Sequence, residues 1–268
     1  MPASELATDH REQLQRLTAA VREAGATALT MFGQSPRSWT KGKNSPVSEA
    51  DIAVNDLLHA RLRDTGFAWL SEESVDDPRR LAAHRVWVVD PIDGTRAYLA
   101  GLPDWTIAAA LVEDGRPVVA AILAPVSDEM FVATRGGGAR CNGDPIRVND
   151  GTALDGARLG GPRSYLERLQ KAAPTLVAMP RVHSLALRFT RVAQGVLDIA
   201  MATANSHDWD LAAADLLVHE AGGILTTFAG RALTYNRADP VHEPLVAAGR
   251  DRHGRLIELV NGHRIAFA

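Results

Sequence analysis

Cysteine is nearly absent from this chain: Cys141 is the only one in 268 residues. That excludes an internal disulfide framework and a cysteine-rich zinc site. Cys141 borders a turn, where a small packed residue is the plain reading and a nucleophile the sharper one. Lysine is almost as scarce, at positions 41, 43 and 171 only, so arginine supplies nearly all the cations. With a net charge of −3 and no basic face implied, nucleic acid is disfavoured as the main partner. No run of about 18 apolar residues occurs, so no membrane span is expected. Met1 to Thr8 lacks a signal-peptide pattern, and a cytoplasmic location is the expectation. There is no Gly-x-Ser-x-Gly elbow, His-Glu-x-x-His helix or Walker A loop. Gly136-Gly137-Gly138 precedes strand-like sequence, which argues against a dinucleotide loop. No internal repeat or low-complexity tract is present.

What is there is a chain with 46% apolar residues, enough for one large core or two smaller lobes. From Leu6 to Phe32, the positions Leu14, Leu17, Val21, Ala24 and Ala28 form one helical stripe. Gly33 to Pro46 is polar and rich in turn formers, and reads as a mobile loop containing Trp39, Lys41 and Lys43. Ser48 opens a second helix with Val54, Leu57, Leu58 and Leu62 on its buried face, ended by Gly66. Phe67–Ser71 and Arg85–Val89 read as strands. From Thr106 the period changes: Thr106–Glu113, Val118–Ala124 and Glu129–Thr134, with two shorter runs after them, are separated by close turn signals. This is the pattern of an antiparallel meander.

Asn149 to Gly156 is small and polar, and marks an expected boundary between lobes at 1–150 and 151–268. Beyond it, Ser164–Ala172, Ser184–Gln194, Asp208–Ala221 and Arg252–Val260 read as helices, with Asp208 capping the third and Gly222-Gly223 stopping it. Leu176–Ala178, Val196–Ala200 and Ile224–Thr227 read as strands. Two helices, an antiparallel sheet and then mixed elements argue for an α+β fold in two lobes.

The most informative stretch is Trp87-Val88-Val89-Asp90-Pro91-Ile92-Asp93-Gly94-Thr95. An apolar strand leads into two carboxylates three residues apart. Pro91 stiffens the exit from the strand, Gly94 lets backbone approach a ligand, and Thr95 stands at a helix start. Hard oxygen ligands beside a helix N-terminus suit a divalent cation facing a phosphate. Groups three residues apart on one turn can face the same way, and two acids held close repel unless a cation or proton lies between them. The plain alternative is that Asp-Pro and Asp-Gly are ordinary turn dipeptides. Glu72 and Glu73 end a strand, and a solvated acidic loop is their plain reading. Asp210 lies in the first turn of a helix and Asp51 completes a Ser48-Glu49-Ala50-Asp51 capping pattern, so both also read as caps.

Leu70-Ser71-Glu72-Glu73-Ser74, Trp87 through Thr95, and Trp209-Asp210-Leu211-Ala212-Ala213 with Glu220-Ala221-Gly222-Gly223 together resemble the inositol monophosphatase superfamily. Order and spacing match across roughly Ser48 to Gly223. The resemblance implies a layered αβαβα sandwich, with metal ions and a phosphate ester meeting between two lobes. It implies that Glu72, Asp90 and the carbonyl of Ile92 bind one Mg²⁺, and that Asp90, Asp93 and Asp210 bind a second. A third ion near Glu72 is common in the family, giving two to three per site. By the same resemblance Asp51 pairs with the Thr95 hydroxyl and orients the attacking water, while Gly94 and Thr95 offer backbone N–H groups to the phosphate. Oxygen ligands without a His/Cys cluster favour magnesium over zinc, and two close metals can stabilise both the attacking and the leaving oxygen.

The ester is read from what differs. Inositol phosphatases commonly carry a glutamate several residues before the Trp-Asp motif, and this chain has Ala202, Thr203 and Ala204 there. Arg96-Ala97-Tyr98 is similar to the basic-x-aromatic continuation of CysQ-type bisphosphate nucleotidases, as is Leu233-Thr234-Tyr235-Asn236 to a later segment of theirs. Arg96 is thus a candidate for a second phosphate, or an exposed surface arginine; His207 is a candidate substrate contact, or a structural histidine. The leading expectation is Mg²⁺-dependent removal of the 3′-phosphate from adenosine 3′,5′-bisphosphate. The alternatives are inositol or sugar phosphates as substrate, and a non-catalytic binding or regulatory protein. The resemblance further implies lithium sensitivity, a small phosphorylated metabolite as partner, and a homodimer.

Overall fold

The computed structural model describes residues 3–41 and 45–267. Helix α1 (Ala3–Met31) leads into a hairpin of β1 (Ser38–Lys41) and β2 (Ser45–Ser48). The loop expected over 33–46 is therefore paired backbone at 38–41 and 45–46; Lys43 lies outside the described residues. Helix α2 (Glu49–Leu62) follows, and a short 3₁₀ turn ends at Gly66 in the left-handed conformation, φ 69°.

The first sheet has the order β3-β4-β5-β6-β7-β8-β9: Ala68–Ser71, Arg85–Asp93, Thr106–Glu113, Arg116–Ala124, Glu129–Thr134, Gly138–Cys141 and Asp144–Pro145. A five-residue helix α3 (Thr95–Leu99) leaves β4. Only the β3–β4 pair is parallel; the rest is the expected meander. The second half supplies β10 (Arg158–Gly160), α4 (Arg163–Ala172), β11 (Val177–Ala178), α5 (Leu185–Ala193), β12 (Ile199–Ala202), β13 (Ser206–His207), α6 (Asp208–Glu220), β14 (Gly223–Thr227), β15 (Val241–His242), β16 (Leu245–Gly249) and α7 (Arg250–Gly262). Its sheet runs β11-β10-β12-β16-β14, and β13 pairs with β15.

Burial explains the layering. Along β5, Ile107, Ala109 and Leu111 face a core shared with α1 and α2, while Ala108, Ala110 and Val112 face a core shared with α5 and α6. A strand buried on both faces reads as one apolar run, because alternate side chains serve opposite layers. On α1, Leu17, Val21, Ala24 and Ala28 are fully buried, as the stripe required. A Cβ on Gly25 would stand 2.3 Å from the Leu123 side chain, so glycine lets α1 lie close on β6. The central core gathers small residues from both sides: Ala108, Ala110 and Ala120 of the sheet meet Ala212, Ala213 and Ala214 of α6. Helix α6 packs on β4, β5 and β6 on one side and on β14 on the other. A third core places Tyr165 and Leu169 of α4 and Leu256 and Val260 of α7 on the far face of the second sheet. The layers are therefore helices, sheet, helices, sheet, helices.

Several sequence expectations shift. Strand β4 does not end at Val89 but runs through Pro91 to Asp93. The cap of α6 is His207, one residue before Asp208, because the backbone N–H of His207 bonds the Asp210 carboxylate. The strand expected at 196–200 lies at Ile199–Ala202, since Val196 and Leu197 close a turn after α5 by bonding the Arg191 carbonyl. Strand β16, buried at every position and paired on both sides, had no counterpart in the sequence reading. Residues 149–156 carry neither helix nor strand, and a division of the chain there remains a proposal. No helix among the described residues is long and apolar enough to cross a membrane.

Candidate metal centre

The site is built where β4 departs from regular pairing. Asp90 pairs with Ala108 of β5 and Asp93 with Thr106, so three steps on one strand match two on the other. In a regular strand, residues three apart point to opposite faces. The extra residue of the bulge brings Asp90 and Asp93 to the same side. A strand bulge, rather than the turn expected from the spacing, thus pairs the two acids. Glu72 arrives beside them because β3 runs parallel to β4, and its N–H donates to the Val89 carbonyl at 3.3 Å.

Asp210 is brought in by α6. One carboxylate oxygen from each of Asp90, Asp93 and Asp210 lies within 4.8 Å of the others. Two of the three are anchored by hydrogen bonds to one carboxylate oxygen. Asp93 Oδ2 accepts from the Ser184 hydroxyl at 2.5 Å and the Ala186 N–H at 2.6 Å, at the start of α5. Asp210 Oδ2 accepts from the His207 N–H at 2.6 Å. Asp90 Oδ1 is buried and has no hydrogen-bond partner.

Negative charge accumulates, with Lys41 acting on Glu72 and Arg188 on Asp93 as partial compensation. Burial first, then Glu72, Asp93, Asp210 and Asp51, push the Asp90 carboxyl well above its ordinary range. Burial, then Asp93, does the same to Asp210. Asp93 is raised by burial, opposed by the bonds from Ser184 and the α5 backbone. Glu72 is pushed up to about 7 by burial, against the pull of Lys41. Buried acids so placed need protons or a cation between them. An orphaned Asp90 oxygen at the meeting point of three carboxylates fits a metal ion, and an all-oxygen donor set fits a hard one.

Asp51 serves two neighbours at once. Its Oδ2 accepts from the Ser48 N–H at 2.8 Å and hydroxyl at 2.5 Å, which caps α2. Its Oδ1 accepts from the Thr95 hydroxyl at 3.1 Å, and that hydroxyl also stands 3.1 Å from the Ile92 carbonyl. Burial lifts the Asp51 carboxyl to about 6. The cap reading and the site reading both hold. Gly94 has φ 94°, and a Cβ there would meet the Ser184 backbone at 3.4 Å, so any side chain would strain the loop and crowd α5. Arg96 is exposed on α3 beside Thr95. His207 stacks on Trp209 with centroids 4.6 Å apart, its Nδ1 3.9 Å from Asp210 Oδ2, and burial lowers its pKa. Cys141 packs against the central core with its thiol pushed up by burial, which fits the packed reading.

Two residues escaped the sequence reading. Ser184 was read only as the start of a helix, since nothing local ties it to Asp93, 91 positions away. Lys41 was placed in a solvated loop, yet the hairpin carries its ammonium to Glu73 Oε1 at 2.5 Å and to the Glu72 carbonyl at 3.1 Å.

The family model of the inositol monophosphatase family matches residues 8–264. The chain is 34% identical over 231 residues to an inositol-1-monophosphatase of Rhizobium meliloti, covering 81% of this chain and 86% of that protein. It is 35% identical over 201 residues to the Nus factor SuhB of Escherichia coli, covering 71% and 74%. The crystal structure of the extragenic suppressor protein SuhB from Bartonella henselae superposes with a TM-score of 0.81 at 26% identity, covering 93% of this chain and 98% of that one. With three motifs in register, a matching family model over nearly its whole length and the same layered fold, the chain belongs to the inositol monophosphatase family.

Proposed function

We propose that this chain is a Mg²⁺-dependent phosphomonoesterase, and that it removes the 3′-phosphate of adenosine 3′,5′-bisphosphate. The observation that carries the chemistry is the convergence of Asp90, Asp93 and Asp210 around the orphaned Asp90 oxygen. In this reading Asp90, Asp93 and Asp210 hold one Mg²⁺, and Glu72, Asp90 and the Ile92 carbonyl hold another. Mg²⁺ so bound supplies Lewis-acid stabilisation of charge on the phosphoryl oxygens and a more acidic water. Asp51 takes up hydrogen-bonded water next to Thr95, whose single hydroxyl hydrogen is shared between Asp51 and the Ile92 carbonyl. Thr95 thereby keeps lone pairs free to fix the water's orientation, the positioning that phosphoryl transfer chiefly needs. Gly94 and Thr95 receive the phosphate at the turn into α3.

The substrate half of the proposal rests on Ala202, Thr203 and Ala204, where no carboxylate is available for sugar hydroxyls, and on Arg96 beside Thr95. A second reading, inositol 1-phosphate as substrate, is favoured by the name of the Rhizobium meliloti relative. The SuhB names of other relatives support a regulatory role. A single panel decides: phosphate release from both esters, with Mg²⁺ and with EDTA. At least about tenfold higher kcat/KM for the nucleotide supports the proposal, about 1.4 kcal/mol in transition-state binding. The reverse ratio rejects the substrate, and Mg²⁺-independent, negligible release across esters rejects the enzyme. A homodimer of this chain is proposed alongside, to be read by light scattering.

A further inference from the structure

A cavity of about 620 Å³ is lined by Leu185 and Arg188 of α5, the helix whose start holds Asp93, and its wall carries Arg163, Arg181 and Arg188 with no acidic side chain among its lining residues. One short segment joins the two places. Arg181 lines the cavity, while Ser184 and Ala186, a few residues on, hold Asp93. Three residues span at most about 11 Å, so the backbone of Arg181 stays near the segment that holds Asp93.

The three arginines differ in what they already do. Arg163 is tied to Glu167 at 2.7 Å on the rim. Arg188 is spent on the wall: its guanidinium donates to the Val182 carbonyl at 2.8 Å and the Met201 carbonyl at 3.1 Å. Burial lowers the Arg188 pKa, with Arg181 acting in the same direction and Asp93 and Asp104 opposing it, so Arg188 already has Asp93 as its electrostatic partner. Arg181 is exposed, and among the described residues it has neither hydrogen bond nor ion pair. The floor is small and uncharged at Ala202, Thr203 and Gly161.

The geometry points to this cavity as the subsite for a second anionic group of the substrate, with Arg181 as the specificity-determining contact and Arg188 as the residue that positions the wall. This rests on the phosphatase reading above and names what that site selects. Arginine presents a planar fork to phosphate oxygens, whereas an uncharged polyol would leave the Arg181 guanidinium without an anionic partner in the cavity. The preferred ester therefore carries a second anionic group in addition to the scissile phosphate.

The test compares adenosine 3′,5′-bisphosphate with inositol 1-phosphate at saturating Mg²⁺ in wild type, Arg181→Ala and Arg181→Lys. Arg181→Ala is expected to raise KM for the bisphosphate about tenfold or more, with kcat held within about threefold. The ratio of kcat/KM between the two esters is expected to fall by the same factor, and Arg181→Lys to recover part of it. Thermal midpoints close to wild type confirm that the variants are folded. If the wild type prefers the bisphosphate and Arg181→Ala lowers both esters alike, or neither, the subsite is wrong and the enzyme reading stands. If the wild type prefers inositol 1-phosphate, the substrate reading and the subsite fall together.

Discussion

The hydroxyl of Ser184 donates to Oδ2 of Asp93 across 2.5 Å, and so ties the start of α5 to the corner of β4. The same hydroxyl accepts from the Leu187 N–H at 2.9 Å and lies 3.0 Å from Thr106 Oγ1. Groups that orient a metal-binding carboxylate typically matter tenfold or more in affinity. Ser184→Ala is expected to weaken apparent Mg²⁺ affinity about tenfold while costing about 1 kcal/mol of stability through the lost cap. A Mg²⁺ titration of phosphate release checks it; an unchanged half-saturation point would leave Ser184 a helix cap and nothing more.

Among the described residues, Asp90 Oδ1 is buried without a hydrogen-bond partner, and the charged groups that act most on its carboxyl are acids. Asp90→Asn should therefore abolish turnover and yet raise the metal-free thermal midpoint by about 2–4 °C. Added Mg²⁺ should raise the midpoint of the wild type through binding to the folded state and leave that of the variant unmoved. Scanning calorimetry with and without Mg²⁺ gives both readings, and a destabilised metal-free variant would contradict the picture of mutual repulsion.

Burial holds Asp51 at about 6 and Glu72 at about 7, above the range of free carboxyls. A carboxyl whose folded pKa is raised contributes stability at low pH and loses it as pH rises through the folded value. The metal-free protein should thus lose stability between about pH 4 and pH 7, and Mg²⁺ should restore it. Because the ion must displace protons, the Mg²⁺ needed for half-maximal rate should rise as pH falls from about 8 to 6. A pH-independent Mg²⁺ requirement would remove the raised carboxyls from the ligand set.

Far from the centre the sign reverses. Arg191 of α5 bonds Glu129 of β7 at 2.6 Å and holds its carboxyl at about 2, with Ser127 assisting and burial opposing. A depressed pKa gives stability above the unfolded value, lost as pH falls through the folded one. Glu129→Gln should lower the thermal midpoint at neutral pH and flatten its pH dependence between about 4.5 and 2, with kcat little changed. Parallel midpoint curves for variant and wild type over that interval would show the pair to be idle.

Much of the framework was legible because burial leaves a periodic trace. The α1 stripe, the meander from Thr106 to Cys141 and the capping pattern at Ser48 all follow from local spacing. The hairpin at 38–48 was not, since its polar strands are half-exposed and lack the alternation that marks a core-facing strand. Strand β16 was missed for a related reason: Leu245–Gly249 is short and apolar, and only its pairing with β12 and β14 makes it a strand.

The sequence by itself determined the chemistry on offer: carboxylates at Asp90 and Asp93, acids at the ends of other elements, a glycine at 94, and no His/Cys cluster to compete with them. Tertiary structure alone decided that these meet. The bulge turns Asp90 and Asp93 to one side, α6 delivers Asp210, and Ser184, Lys41 and Arg181 arrive from segments with no local link to the motif. The physical reason is range: capping and periodicity act over three or four residues, whereas the repulsion among buried acids and the bonds that orient them act through space, between residues the chain order keeps far apart.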